Sequence, residues 1–167
     1  LPGSLKNQFF LDAEDGLLRV ATTEQRVTVQ QATPANGSGS KDTGSTSGAS
    51  NGSTADQLLE YSATTINLLT ILGAQKDLLS PIGELDVCED KTLSAVRFNG
   101  NVAYLSFAQA GSPFEVIDLS DPKNPSEAGD LTLDGQDEFM QPIDDHHIVT
   151  VGRSGSDAAS SLTLRLY

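Results

Sequence analysis

The chain has no tryptophan, a single cysteine and a single methionine, and only 5% of its 167 residues are aromatic. With three tyrosines besides, there is little from which to build a stacked-ring platform for sugars. Cys88 has no second cysteine to join, so an internal disulfide is excluded. Its setting, Gly83-Glu84-Leu85-Asp86-Val87-Cys88, reads as a strand and predicts a buried packing side chain rather than a reactive thiol. Long hydrophobic runs are also missing. Ile66 to Leu72 is broken by Asn67 and Thr70 and falls far short of the ~20 residues of a spanning helix, so the chain is not expected to span a membrane. Positive charge is scarce: 10 basic residues against 23 acidic ones, a net charge of −13, leave no basic stripe to release counterions from a phosphate backbone, and nucleic acid is excluded as a partner. The acidity reads as solubility in a crowded or salty exterior, with binding of a cation or a basic partner as the alternative. The opening Leu1-Pro2-Gly3-Ser4-Leu5-Lys6 has neither an initiator methionine nor a charged-then-apolar leader, and the segment is expected to be excised or processed from a longer protein.

Catalytic signatures are absent in the same way. His146 and His147 are the only histidines and sit beside Asp144 and Asp145, but adjacent side chains on a strand point to opposite faces and do not share one metal. A polar hairpin turn is expected there. Asp12-Ala13-Glu14-Asp15-Gly16 has part of a calcium loop without the later bidentate glutamate or the flanking helices, and reads as a tight acidic turn. Gly152-Arg153-Ser154-Gly155-Ser156 follows a strand but opens no helix, so it is not the nucleophile elbow of a serine hydrolase. No glycine-rich phosphate loop is present. Accordingly no catalytic, cofactor-binding or metal-ligating residue is assigned from the sequence, and no cofactor is expected.

What the chain does have is short strand-like runs separated by turn chemistry. These are Gln8 to Leu11, Leu17 to Thr23, Thr65 to Leu72, Gly83 to Val87, Thr92 to Phe98, Val102 to Phe107, Phe114 to Leu119, Glu127 to Leu133, Glu138 to Ile143, His147 to Gly152 and Leu162 to Tyr167. Asp15-Gly16, Asn99-Gly100-Asn101 and Asp144-Asp145-His146 punctuate the hairpins that open each set. Residues 32 to 55 form a Gly, Ser, Thr, Asn and Ala tract that buries too little to offset its ordering entropy, and a disordered insertion is expected there. Its Asn36-Gly37-Ser38 and Asn51-Gly52-Ser53 match the glycan acceptor pattern, which in such a tract reads as chance. Thr54 can cap a helical turn over Asp56 to Tyr61 before the chain returns to strand, and Lys76 to Pro81 reads as a turn.

The most informative run is Phe114-Glu115-Val116-Ile117-Asp118-Leu119-Ser120-Asp121-Pro122-Lys123-Asn124-Pro125. An apolar strand ends where Asp118 and Ser120 offer side-chain oxygens to the backbone, and Pro122 presets a turn. Pro125 has no N–H for a ladder, so the strand after it should begin there or lie at a sheet edge. This run resembles a repeat of bacterial and archaeal surface proteins, with an Asp-(Val/Leu)-Ser-(Asp/Asn)-Pro corner followed by Asn-Pro. The flanking Ser94 to Leu105, Gln141 to Ile148 and Phe10 to Thr23 resemble the secreted C-terminal β-propeller family distantly related to WD40 repeats. That resemblance implies an all-β fold of antiparallel four-stranded blades, a secreted or cell-surface location and no transferable catalytic motif.

An internal period supports blades over a sandwich. Gly83-Glu84-Leu85 and Gly129-Asp130-Leu131 stand 46 residues apart, and Phe98 and Ile143 stand 45 apart, within the range of a four-stranded blade. The expected organisation over 1–167 is a partial β-propeller of about two and three-quarter blades: one over 8–87 with the insertion inside it, one over 92–133, and an incomplete one over 138–167. Its sheets are then to be completed by the remaining blades of a longer chain or by another copy. Two functions are open at this level: a non-catalytic extracellular scaffold that presents loops to a protein or other partner, and part of a hydrolase-like propeller enzyme whose active site needs blades outside this chain.

Overall fold

The computed structural model describes residues 1–31, 59–109, 111–132, 135–144, 146–154 and 161–167. Among them are eleven strands: β1 (Leu11–Glu14), β2 (Leu17–Gln31), β3 (Leu59–Gln75), β4 (Leu78–Val87), β5 (Leu93–Asn99), β6 (Val102–Phe107), β7 (Pro113–Asp118), β8 (Ser126–Thr132), β9 (Gln136–Pro142), β10 (Ile148–Ser154) and β11 (Ser161–Leu166). They form three antiparallel sheets in the orders β1-β2-β3-β4, β5-β6-β7-β8 and β9-β10-β11. All-β blades of this kind are the expected fold class. The tract at 32 to 55, with its two acceptor triplets, lies outside the described residues, as do Leu133 and the first half of the helical turn considered after Thr54.

Three local expectations need correction. Gln8–Phe10 is a 3-10 turn, not strand; Asn7 caps it by accepting the Phe9 N–H, and β1 begins only at Leu11. Lys76 to Pro81 is not a turn throughout, because Lys76 and Asp77 alone make it and β4 starts at Leu78. Lys76 takes φ 57° there, so two residues suffice to reverse the chain, and the β3–β4 ladder continues out to Gln75 and Leu78. Cys88 lies past the end of β4, in a bend with φ 30°.

The chain divides into two compact units. The smaller, Val27–Ala63, includes the far ends of β2 and β3, where Val27, Val29 and Tyr61 are exposed. The larger, Leu1–Arg26 with Thr64–Tyr167, holds the core. There the middle sheet is covered on both faces, which explains why β5 is buried at nearly every position instead of alternating. Ala103, Leu105, Phe107 and Ile117 of that sheet, with Leu119 just past its third strand, pack with Ala21, Leu69, Ile71 and Val87 of the first. The opposite face presents Tyr104, Phe114 and Val116 to Met140, Ile148 and Tyr167 of the third. β5 is the inner strand of its blade and lies beside β9 and the 3-10 turn. Phe9 in that turn receives the Arg97 guanidinium 5.6 Å from its ring centre and meets Phe139 edge-on at 5.8 Å.

Buried polar groups tie the blades at their joints. Asn67, fully buried, accepts from the Thr23 hydroxyl and donates to the carbonyls of Cys88 and Lys91, all at 2.8 Å. It thereby fixes the connection from β4 to β5, where Cys88 and Asp90 carry positive φ.

Candidate functional site

The Asp118 to Pro125 corner is turn chemistry. Asp118 Oδ1 accepts the Ser120 N–H at 2.8 Å and its hydroxyl at 2.5 Å, while Asp121 accepts the Lys123 N–H and the Asn124 amide. These bonds hold both carboxyls below the usual aspartate range, Asp118 through the Ser120 hydroxyl and Asp121 through the Asn124 side chain. β8 follows Pro125 and runs at the edge of its sheet, exposed along its whole length.

Asp12 and Glu14 both grip Arg19, which also donates to the Gly100 carbonyl and lies over the Phe98 ring at 5.4 Å. The acidic turn is thus the counterion of a buried guanidinium that links the first two blades. Glu14, Asp15, Arg19, Asn101, Ser120 and Pro122 border a cavity of about 270 Å³ there. Asp144 accepts the backbone N–H groups of His146 and His147 at 2.8 Å and meets His147 Nδ1 at 2.9 Å, and the first of these bonds does most to lower its pKa. His146 instead borders a different cavity, so the two imidazoles have different surroundings; Asp145 lies outside the described residues. Ser154 hydrogen-bonds Thr163 across the β10–β11 ladder at 2.8 Å, while Gly155 and Ser156 lie outside the described residues. Among the described residues no group of three or more His, Cys, Asp or Glu is placed to hold a metal, and no helix is long and apolar enough to cross a membrane.

Two features escape the sequence reading. The first is Glu115, on the face of β7 that meets the first blade and only 7% exposed. Burial, then the charges of Glu127 and Asp130 on β8, push its carboxyl up to about 7, against a smaller lowering from the Cys88 thiol. Burial and then Glu115 raise the Cys88 thiol in turn. The alternation of β7 hides Glu115 in sequence, because one face of a half-buried strand is ordinarily the place for a charge.

The second is a cleft of about 380 Å³ between the second and third blades. Its wall is aromatic: Phe114 stacks on Tyr167 at 5.2 Å and approaches Tyr104 at 6.1 Å. Ala128 to Leu131 on β8 form another side, and Asp130 and His146 join the two tyrosines as its ionisable groups. Among the described residues of its lining there is no serine, threonine or cysteine. The recurrence of glycine at 83 and 129 is the sequence signal that points to this place.

The chain is 27% identical over 162 residues to an uncharacterised protein of Archaeoglobus fulgidus, a match that covers 97% of this chain and 20% of that protein. It is 34% identical over 76 residues to an uncharacterised protein of Methanocaldococcus jannaschii, covering 45% of this chain and 12% of the other. The chain therefore spans about a fifth of the first relative's length and about an eighth of the second's. No solved structure gives a significant match. The profile of the beta propeller domain family matches residues 1–167, and three antiparallel sheets packed face to face carry the architecture it describes: the chain belongs to the beta propeller domain family.

Proposed function

We propose that this segment is a non-catalytic scaffold and interaction module, displayed outside the cell, whose third blade receives a further blade of a longer propeller. The observation that carries the reading is the free face of β9 to β11. Leu162, Leu164 and Leu166 are 71%, 69% and 62% exposed, on the side of the sheet away from the second blade, with Val149 and Val151 beside them in register. The corresponding faces at the other two blade joints are buried. Covering each leucine is worth roughly 1.5 to 3 kcal/mol, and a three-leucine stripe is what a neighbouring blade covers. The extracellular placement is supported by the net charge of −13 and by the resemblance to secreted propellers.

Light scattering of the chain and of Leu164→Asp tests the scaffold reading. The chain should self-associate through this face in a concentration-dependent way, and Leu164→Asp should return it to a monomer. A compact monomer that does not bind a hydrophobic dye would overturn it. Calcium should leave the melting temperature unchanged, because Asp12 and Glu14 are already committed to Arg19. Turnover of generic esterase, glycosidase or peptidase substrates would contradict the non-catalytic role.

A further inference from the structure

β4 and β8 are the outer strands of the first two sheets, and each carries a glycine at one structural position. Gly83 pairs with Ile71 immediately before the register slips between Ile71 and Leu72; Gly129 pairs with Val116 immediately before the slip between Val116 and Ile117. The residue left over is Ile82 in one strand and Ala128 in the other. Only the surroundings differ. At Gly83 a side-chain carbon would collide with the Pro122 carbonyl oxygen and touch the Lys123 backbone, so the corner of the next blade presses directly on the strand. At Gly129 no described atom lies within 4 Å of where that carbon would be, and the glycine opens onto the 380 Å³ cleft.

Glycine in a strand interior weakens it, and close approach of another backbone is a usual reason for its presence. Gly83 has that partner and Gly129 does not. The third blade indicates where the partner comes from. Leu119 follows β7, donates its N–H to the Asn101 carbonyl at 2.8 Å and packs on the first blade. Tyr167 follows β11, exchanges two 2.9 Å bonds with Ile148 and packs on the second blade. Tyr167 thus closes the third strand of its blade against the blade before, as Ile117 and Leu119 do in theirs. The Ser120 to Pro125 corner comes next after Leu119, and in a polypeptide that continues as the scaffold reading has it, a counterpart would follow Tyr167.

We propose that the cleft is the socket for a proline-bearing corner like Ser120 to Pro125, supplied by the third blade of the longer polypeptide, with Gly129 as its point of close approach. This rests on the scaffold reading above, in which blades continue beyond this segment; the relatives, five and eight times its matched span, have the length for them. The socket takes a peptide turn: β8 contributes Gly129, with no side chain and open space before it, and the aromatic wall suits a proline ring.

The test is Gly129→Ala and Gly129→Val, melted in the 167-residue chain and in the polypeptide carried on by one blade's length. In the chain itself both substitutions should leave the melting temperature unchanged or raise it. In the longer polypeptide both should lower it, valine more than alanine, by as much as the same changes at Gly83. If the valine variant fails to fold, amide exchange from Gly129 to Leu131 in the unsubstituted proteins decides, and must slow on passing to the longer one. A longer polypeptide in which Gly129→Val melts like its parent, or in which a hydrophobic dye still enters the cleft, would overturn the socket. Leu164→Asp separates the two readings. If it destabilises the longer polypeptide while Gly129→Val does not, the socket fails and the further blade stands; if neither does, both fail.

Discussion

Glu115 is buried beside two carboxylates, where its charge is disfavoured. Its folded carboxyl titrates at about 7, above the ordinary 4.5, so between those values the folded state holds a proton that the unfolded chain has released. The stability linked to this group is therefore fully present below about pH 4.5 and is lost as the pH rises through 7. Glu115→Gln should melt with the parent at pH 4.5 and above it at pH 8, by about 2 kcal/mol, or roughly 4 to 8 °C. Paired thermal melts at the two pH values check it, and an equal shift at both would mean that packing, not charge, is responsible. Nothing in Phe114-Glu115-Val116 distinguishes this glutamate from one on a solvated face. Its burial arises because a blade in the middle of a propeller has two covered faces, and that is a property of the neighbours.

At the scale of elements, the joints between blades depend on single polar side chains. Asn67 is the clearest case, with its amide satisfied by one hydroxyl from β2 and two carbonyls from the β4 to β5 connection. Asn67→Ala removes these bonds and strands the two carbonyls that hold the β4 to β5 connection. The expected cost is ~2 to 4 kcal/mol, read as a fall in the denaturant midpoint. Asn67→Asp should not rescue, because a carboxylate cannot donate to the carbonyls of Cys88 and Lys91. Most strand positions were legible from the alternation of apolar and β-branched residues and from the turns at Asp15-Gly16 and Asn99-Gly100. The exceptions are instructive. The 3-10 turn at Gln8–Phe10 was hidden because Phe9 and Phe10 have strand character, yet they are drawn to the inner strands of neighbouring blades. Cys88 reads as strand because Val87 precedes it, but the chain bends there to reach the next blade.

Across the whole molecule, stability should follow the number of covered faces. β6 lies in the middle of a sheet covered on both sides, with Ala103 and Leu105 fully buried, whereas β11 is a sheet edge with an exposed leucine stripe. Hydrogen exchange should therefore show the slowest amides in β6 and much faster exchange in β11, and equal protection would contradict a free third face. By itself, the sequence determined the all-β class, the blade period and the corner chemistry of Asp118 to Pro125, because these depend on contacts a few residues apart: alternation, prolines and side-chain oxygens next to their own backbone. Only the tertiary structure decided which face of each strand is covered twice, that Asp12 and Glu14 serve Arg19, and that Gly83 is filled while Gly129 stands open. Those outcomes depend on what a neighbouring blade brings to the same place, and no local pattern of residues encodes a neighbour.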